Sequence, residues 1–125
     1  MKHETFNKLV EERLEGCINT LGVKNKEYSS DTDRLHNFKK AGRMKGQDPI
    51  QALDGMWLKH RVSMDDIIER MIADPTYLPP KELIKEKLGD NLNYTLLLEG
   101  LIEDRRELLD DAVRALTTTM AGPII

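Results

Sequence analysis

The sequence predicts an all-α fold, a helical bundle of four to five helices that ends in a long C-terminal helix. Two observations carry the expectation. Apolar residues recur at intervals of three and four through most of the chain, and no stretch alternates with period two or gathers the β-branched residues of a strand. With 125 residues, 39% of them apolar and 33% charged, the chain fits one ordinary soluble domain. That domain is expected over residues 1–116, with a frayed tail at 117–125.

The first helix is expected over residues 4–21, where Phe6, Leu9, Val10, Leu14, Cys17, Ile18 and Leu21 share one stripe, and Gly22 is read as its stop. Residues 23–33 are polar and turn-rich, long enough to be read as a binding loop. A short helix then carries Leu35, Phe38, Ala41 and Met44 and closes at Lys45-Gly46. Asp48-Pro49 is an N-cap followed by proline at the first helical position, opening a helix to about His60 with Ile50, Leu53 and Trp57 inward. Ser63 is read as the cap of a further helix, with Met64, Ile67, Ile68, Met71 and Ile72 on one face, that stops at Asp74-Pro75. From Pro80 a single apolar pattern runs to Leu116, with a bend expected near Arg105-Arg106. Residues 91–98 are apolar almost all round, which places them at the bundle centre or in a subunit interface. The chain is therefore expected to be a homo-oligomer, since one small core rarely surrounds so long a helix.

Composition removes several function classes. No run of 18 apolar residues is present and the first residues lack the apolar core of a signal peptide, so neither a membrane partner nor export is expected. The expected compartment is the cytoplasm. Cys17, the only cysteine, cannot form an internal disulfide, and no Cys/His spacing suits structural zinc. A net charge of −3 argues against a nucleic-acid partner. Between residues 24 and 45, however, seven basic residues face three acidic ones, a local excess that would draw a polyphosphate or balance acidic helices elsewhere.

Glu86, Asp90 and Asn93 stand at i, i+4 and i+7 on the long helix, on a stripe that continues into Leu97. A carboxylate and an amide running into an apolar zone need partners. Mg²⁺ is one candidate, because it takes oxygen ligands and commonly binds one or two carboxylates plus substrate phosphates. Basic side chains and a neighbouring helix are the other. Lys59 and His60 precede the Ser63 cap, where free amides would favour phosphate, and serve as a candidate phosphate contact and hydrogen-bond donor. Tyr28 and Tyr94 could stack on a base, whereas Phe38 and Trp57 sit on apolar stripes and fit core packing. Asn37 and Asn93 could read a base edge or sugar hydroxyl. No Gly-rich phosphate loop or nucleophile elbow is present.

The run Glu86-Lys87-Leu88-Gly89-Asp90-Asn91-Leu92-Asn93-Tyr94-Thr95-Leu96-Leu97-Leu98 resembles the last metal-binding helix of the MazG-like all-α nucleoside triphosphate pyrophosphohydrolases. With Lys24 to Tyr28, Asn37-Phe38 and Lys59-His60, it is also similar to small phage proteins grouped as nucleotide-modification-associated. The resemblance spans roughly residues 20–103. It implies a MazG-like bundle that, with Mg²⁺, splits a (deoxy)nucleoside triphosphate between its α and β phosphates. Metal would fall to Glu86 and Asp90, joined by Asp66 and Glu69, the acidic pair on the preceding helix. The nucleotide would fall to Lys24, Lys26, Tyr28, Asn37, Lys59, His60, Asn93 and Tyr94. In the family, one helix carries Glu-x-x-Glu and the next Glu-x-x-Asp. Here Lys87 stands three before Asp90, and Asp66 replaces the first glutamate. That lysine leaves a second expectation open, a protein that binds and sequesters a nucleotide without turning it over. Asp66 and Glu69 also fit an ordinary acidic helix surface, and Glu12 and Glu15 a solvated face.

Overall fold

Capping chemistry sets three of the helix boundaries in the computed structural model, which describes residues 1–23 and 33–120. Four helices and no strand occur among the described residues: α1 (His3–Val23), α2 (His36–Lys45), α3 (Pro49–Ala73) and α4 (Lys81–Met120). The all-α expectation is met. α2 closes at Gly46, which takes the left-handed conformation (φ 64°), and Gln47 N–H then donates to the Gly42 carbonyl at 2.7 Å. This fold-back brings the Gln47 carbonyl oxygen to 2.6 Å from where a Cβ on Gly42 would lie, so position 42 requires glycine.

Asp48 opens α3 as the sequence indicates. Its Oδ1 accepts from Ile50 N–H at 2.7 Å, and the Gln51 side chain accepts from Asp48 N–H at 2.9 Å. α3 ends at Asp74, whose carboxylate accepts from both the backbone and the hydroxyl of Thr76 and is held below its usual pKa by these bonds. Arg70 lies 3.7 Å over the Tyr77 ring, tying the connector to the helix it leaves.

α3 and α4 are antiparallel: Arg105 donates to Asp48 at 2.7 Å, while His60, three turns further along α3, meets Asp90. α2 packs on α3 and α1 on the first half of α4. Leu53, Leu101 and Phe38 form the core, with Leu35, Ile50, Tyr94, Leu97 and Leu98 against them. On its flank Lys39 Nζ joins Asp33 at 2.7 Å and Asp104 at 3.2 Å, anchoring α2 to α4. The Lys39 hydrogen bond lowers the Asp33 pKa, and the Asp33 bond raises that of Lys39.

Five expectations are corrected. α1 passes through Gly22 to Val23, and Gly46 is the only positive-φ glycine among the described residues. There is no helix start at Ser63, because residues 60–63 contain neither proline nor glycine and α3 runs unbroken over its 25 residues. α4 is uninterrupted at Arg105-Arg106 and reaches Met120, so residues 117–120 are helix and not tail. Met44 is exposed. Finally, the α1 stripe is not a buried face, since Phe6, Leu9, Leu14 and Ile18 are about half exposed or more and only Cys17 is buried. No helix among the described residues is long and apolar enough to cross a membrane.

Candidate functional site

Glu86, Asp90 and Asn93 do form one stripe, and it runs from solvent into the interior: the Glu86 side chain is 62% exposed, Asp90 35%, and Asn93 is buried. Each has a different fate. Glu86 Oε1 lies 3.5 Å from Lys87 Nζ, its own neighbour in sequence. Asp90 Oδ2 lies 3.3 Å from His60 Nδ1, across the α3–α4 groove. Asn93 Oδ1 has no hydrogen-bond partner among the described residues, although it is buried. An orphaned buried oxygen asks for a water, an ion or a ligand group.

The surroundings of the His60 and Asp90 pair are aromatic and tightly bonded. Tyr94, one turn after Asp90, packs between His60 (centroids 5.1 Å apart) and Trp57 (6.0 Å, planes 10° apart). Burial, with the Asp90 charge beside it, pushes the Tyr94 hydroxyl above its ordinary pKa. Arg61 lies over the Trp57 ring at 4.8 Å and is itself fixed to Asp54 at 2.6 Å.

Asn91 holds this wall together. Its Oδ1 accepts from Trp57 Nε1 at 2.9 Å, and its Nδ2 donates to the carbonyls of His60 (3.0 Å) and Lys87 (2.8 Å). One buried amide thus ties α3 to α4 on either side of Asp90. The sequence reading assigned it no role, yet an asparagine next to Asp90 in an otherwise apolar run is the signal that could have found it.

The remaining candidates are not drawn into the cluster. Asp66 and Glu69 are exposed on α3, and no group of three or more His, Cys, Asp or Glu side chains is close enough to hold a metal among the described residues. Lys59 is exposed beside His60. The helix N-terminus that was to favour phosphate beside it does not exist, because residues 60–66 lie mid-helix in α3. Asn37 is half-buried on α2. Its neighbours in α2 mark its height: Leu35 packs at Gly100 and Lys39 reaches Asp104, some 15 Å along α4 from Asp90. Lys24, Lys26 and Tyr28 lie outside the described residues. Part of the basic excess is structural, since Arg34 donates to the Leu21 carbonyl at 2.7 Å and Lys39 is tied to two aspartates. Glu12 and Glu15 are exposed, as expected of a solvated face.

By chemistry alone, the stripe offers oxygen donors of the kind Mg²⁺ takes. Two carboxylates one turn apart and an uncommitted amide oxygen one turn further are hard oxygen ligands, and an Mg²⁺ held by one or two carboxylates completes its shell with water and phosphate. A cavity of about 100 Å³ lined by Asp48, Ile50, Leu101, Asp104, Arg105 and Leu108 is well below the several hundred Å³ of a nucleotide-sized pocket. Compared with family models, curated proteins and solved structures, the chain matches none.

Proposed function

We propose that the chain is an oligomeric nucleotide-handling protein that, with Mg²⁺, cleaves a (deoxy)nucleoside triphosphate to the monophosphate and pyrophosphate, as its resemblance to the MazG-like pyrophosphohydrolases implies. One observation carries this reading: a polar stripe of Glu86, Asp90 and the orphaned Asn93 oxygen descends into the bundle beside His60. Glu86 and Asp90 would hold the ion, which when bound supplies charge neutralisation and lowers the pKa of water.

The chain's own groups have separable tasks. His60 is oriented through Nδ1 by Asp90, and its Nε2 donates to a phosphate oxygen when the ring carries both protons. Asp90, one of whose oxygens faces His60, keeps the other for the ion that it and Glu86 would hold. Lys59, with the basic side chains of residues 24–45, offsets the charge of the triphosphate. Asn93 offers its free oxygen to a sugar hydroxyl or a bound water. Fixed charges and dipoles of this kind usually supply the largest part of such a rate enhancement.

Lys87 favours a second reading, in which the protein binds a nucleotide and does not turn it over. Its ammonium lies 3.5 Å from Glu86, near where the resembled family has another carboxylate, and would meet a phosphate directly. A panel of nucleoside triphosphates, assayed with and without Mg²⁺ for pyrophosphate release and thermal shift, separates the two. Mg²⁺-dependent release is the expected result. A thermal shift without release selects sequestration, and silence in both channels rejects nucleotide handling.

A further inference from the structure

α4 runs on well past the start of α3. α3 starts level with Arg105, and every residue from 105 to 120 is exposed, a helical arm about 24 Å long. An isolated helix of this length is marginal in water. The apolar residues on it are ordered: Ile102, Leu109 and Leu116 repeat every seven residues, and Val113 and Met120 each follow four later. The same two series run back through Leu88 and Leu92, which makes one heptad seam along most of α4. Those seven side chains are between 37% and 81% exposed.

The area agrees with a missing partner. The protomer exposes 10129 Å², whereas a compact monomer of its mass is expected to expose about 6,800 Å². A standard interface covers about 800 Å² of each partner. The excess is several times that.

We propose that the seam is covered by a second copy of this chain, packed antiparallel, so that the arm of each protomer lies along residues 88–102 of the other. Two charged residues interrupt the seam and decide the direction: Glu99 and Arg106, seven apart and so at equivalent heptad positions. In a parallel pair each would meet its own copy, glutamate against glutamate and arginine against arginine, which is repulsive. In the antiparallel pair Leu92 meets Leu116 of the second copy and Thr95 meets Val113. Glu99 and Arg106 of opposite chains then fall in neighbouring layers with opposite charge. This inference extends the oligomeric part of the proposed function and does not use its chemistry.

The test reads mass and proximity, not turnover, so its failure is distinct from failure of the nucleotide reading. Sedimentation of the full chain at tens of micromolar is expected to give twice 14.4 kDa or an even multiple of it. Leu109→Glu with Leu116→Glu, both exposed in the protomer, is expected to give a monomer with unchanged Trp57 fluorescence, the dimer dissociation constant rising by more than about tenfold. Direction is read by oxidising Leu92→Cys and Leu116→Cys chains, with the native Cys17 buried. A covalent dimer is expected only when the two variants are mixed. A monomeric wild type, a double glutamate variant that keeps the dimer mass, or a single-cysteine variant that cross-links to itself would each overturn the proposal.

Discussion

At the scale of single residues, the work of the candidate site is divided between groups that face a ligand and one that holds the wall. Asn91 is the holder, with two hydrogen bonds across to α3 and a third back to Lys87 within α4. Asn91→Ala leaves the Trp57 indole N–H unpaired in a half-buried setting and is expected to cost about 1–3 kcal/mol of stability. A chemical denaturation curve measures this, and the lone tryptophan reports the local change as a shift in its emission. Gly42 is the second sensitive position, because a methyl group there would press on the Gln47 carbonyl, which is backbone and cannot turn aside. Gly42→Ala should lower stability by about 1–3 kcal/mol, as overpacking does. Alanine substitution at Gly55, where nothing lies within 4 Å of the added atom, provides the matched control and should be neutral or slightly stabilising. The Lys39 tether gives a pH signature. Asp33 has a lowered pKa, so its contribution is full above about 3.9 and is lost as pH falls through the folded value. Lys39 has a raised one, so its contribution is full below about 10.4 and is lost as pH rises through the folded value. Lys39→Met should therefore lower the melting temperature most between these limits, and the gap to wild type should close in acid.

Elements differ in how plainly the sequence announces them. The start of α3 was legible because Asp48-Pro49-Ile50-Gln51 states its cap, its rigid first residue and its reciprocal bond in adjacent letters. The end of α2 was legible for a similar local reason, since Gly46 supplies the left-handed turn. Ser63 misled because serine in mid-helix looks in sequence like a serine at a cap; what decides is whether its neighbours can continue the helix, and the Trp57, His60 and Asn91 contacts hold them in it. Glu86, Asp90 and Asn93 were legible as a stripe from spacing alone. Which of them finds a partner was not, because His60 is 30 residues from Asp90 and only antiparallel packing of α3 on α4 brings them together. The arm of α4 yields an element-scale prediction. Amide exchange over residues 105–120 should slow as protein concentration rises, while exchange over the core of α3 stays constant. Protection of the arm that does not vary with concentration would mean that it is stable without a second copy.

For the whole molecule, the organising fact is a small interior under a large apolar exterior. Five apolar side chains are buried among the described residues, and long stripes on α1, α3 and α4 face outward. Such a protomer is expected to be a part of an assembly, and the polar stripe beside His60 would then sit in a bundle stiffened by its partner. That arrangement gives the site two layers of dependence: the hydrogen bonds of Asn91 fix its geometry within the chain, and the α4 seam fixes the helix that carries it. The central claim is that Asp90, with His60, does the chemistry on a nucleotide, and the most direct measurement is pyrophosphate release by Asp90→Asn beside wild type, at saturating Mg²⁺ and triphosphate. Asp90→Asn is expected to lose at least about 100-fold in kcat with little change in melting temperature. Full activity in Asp90→Asn would contradict it.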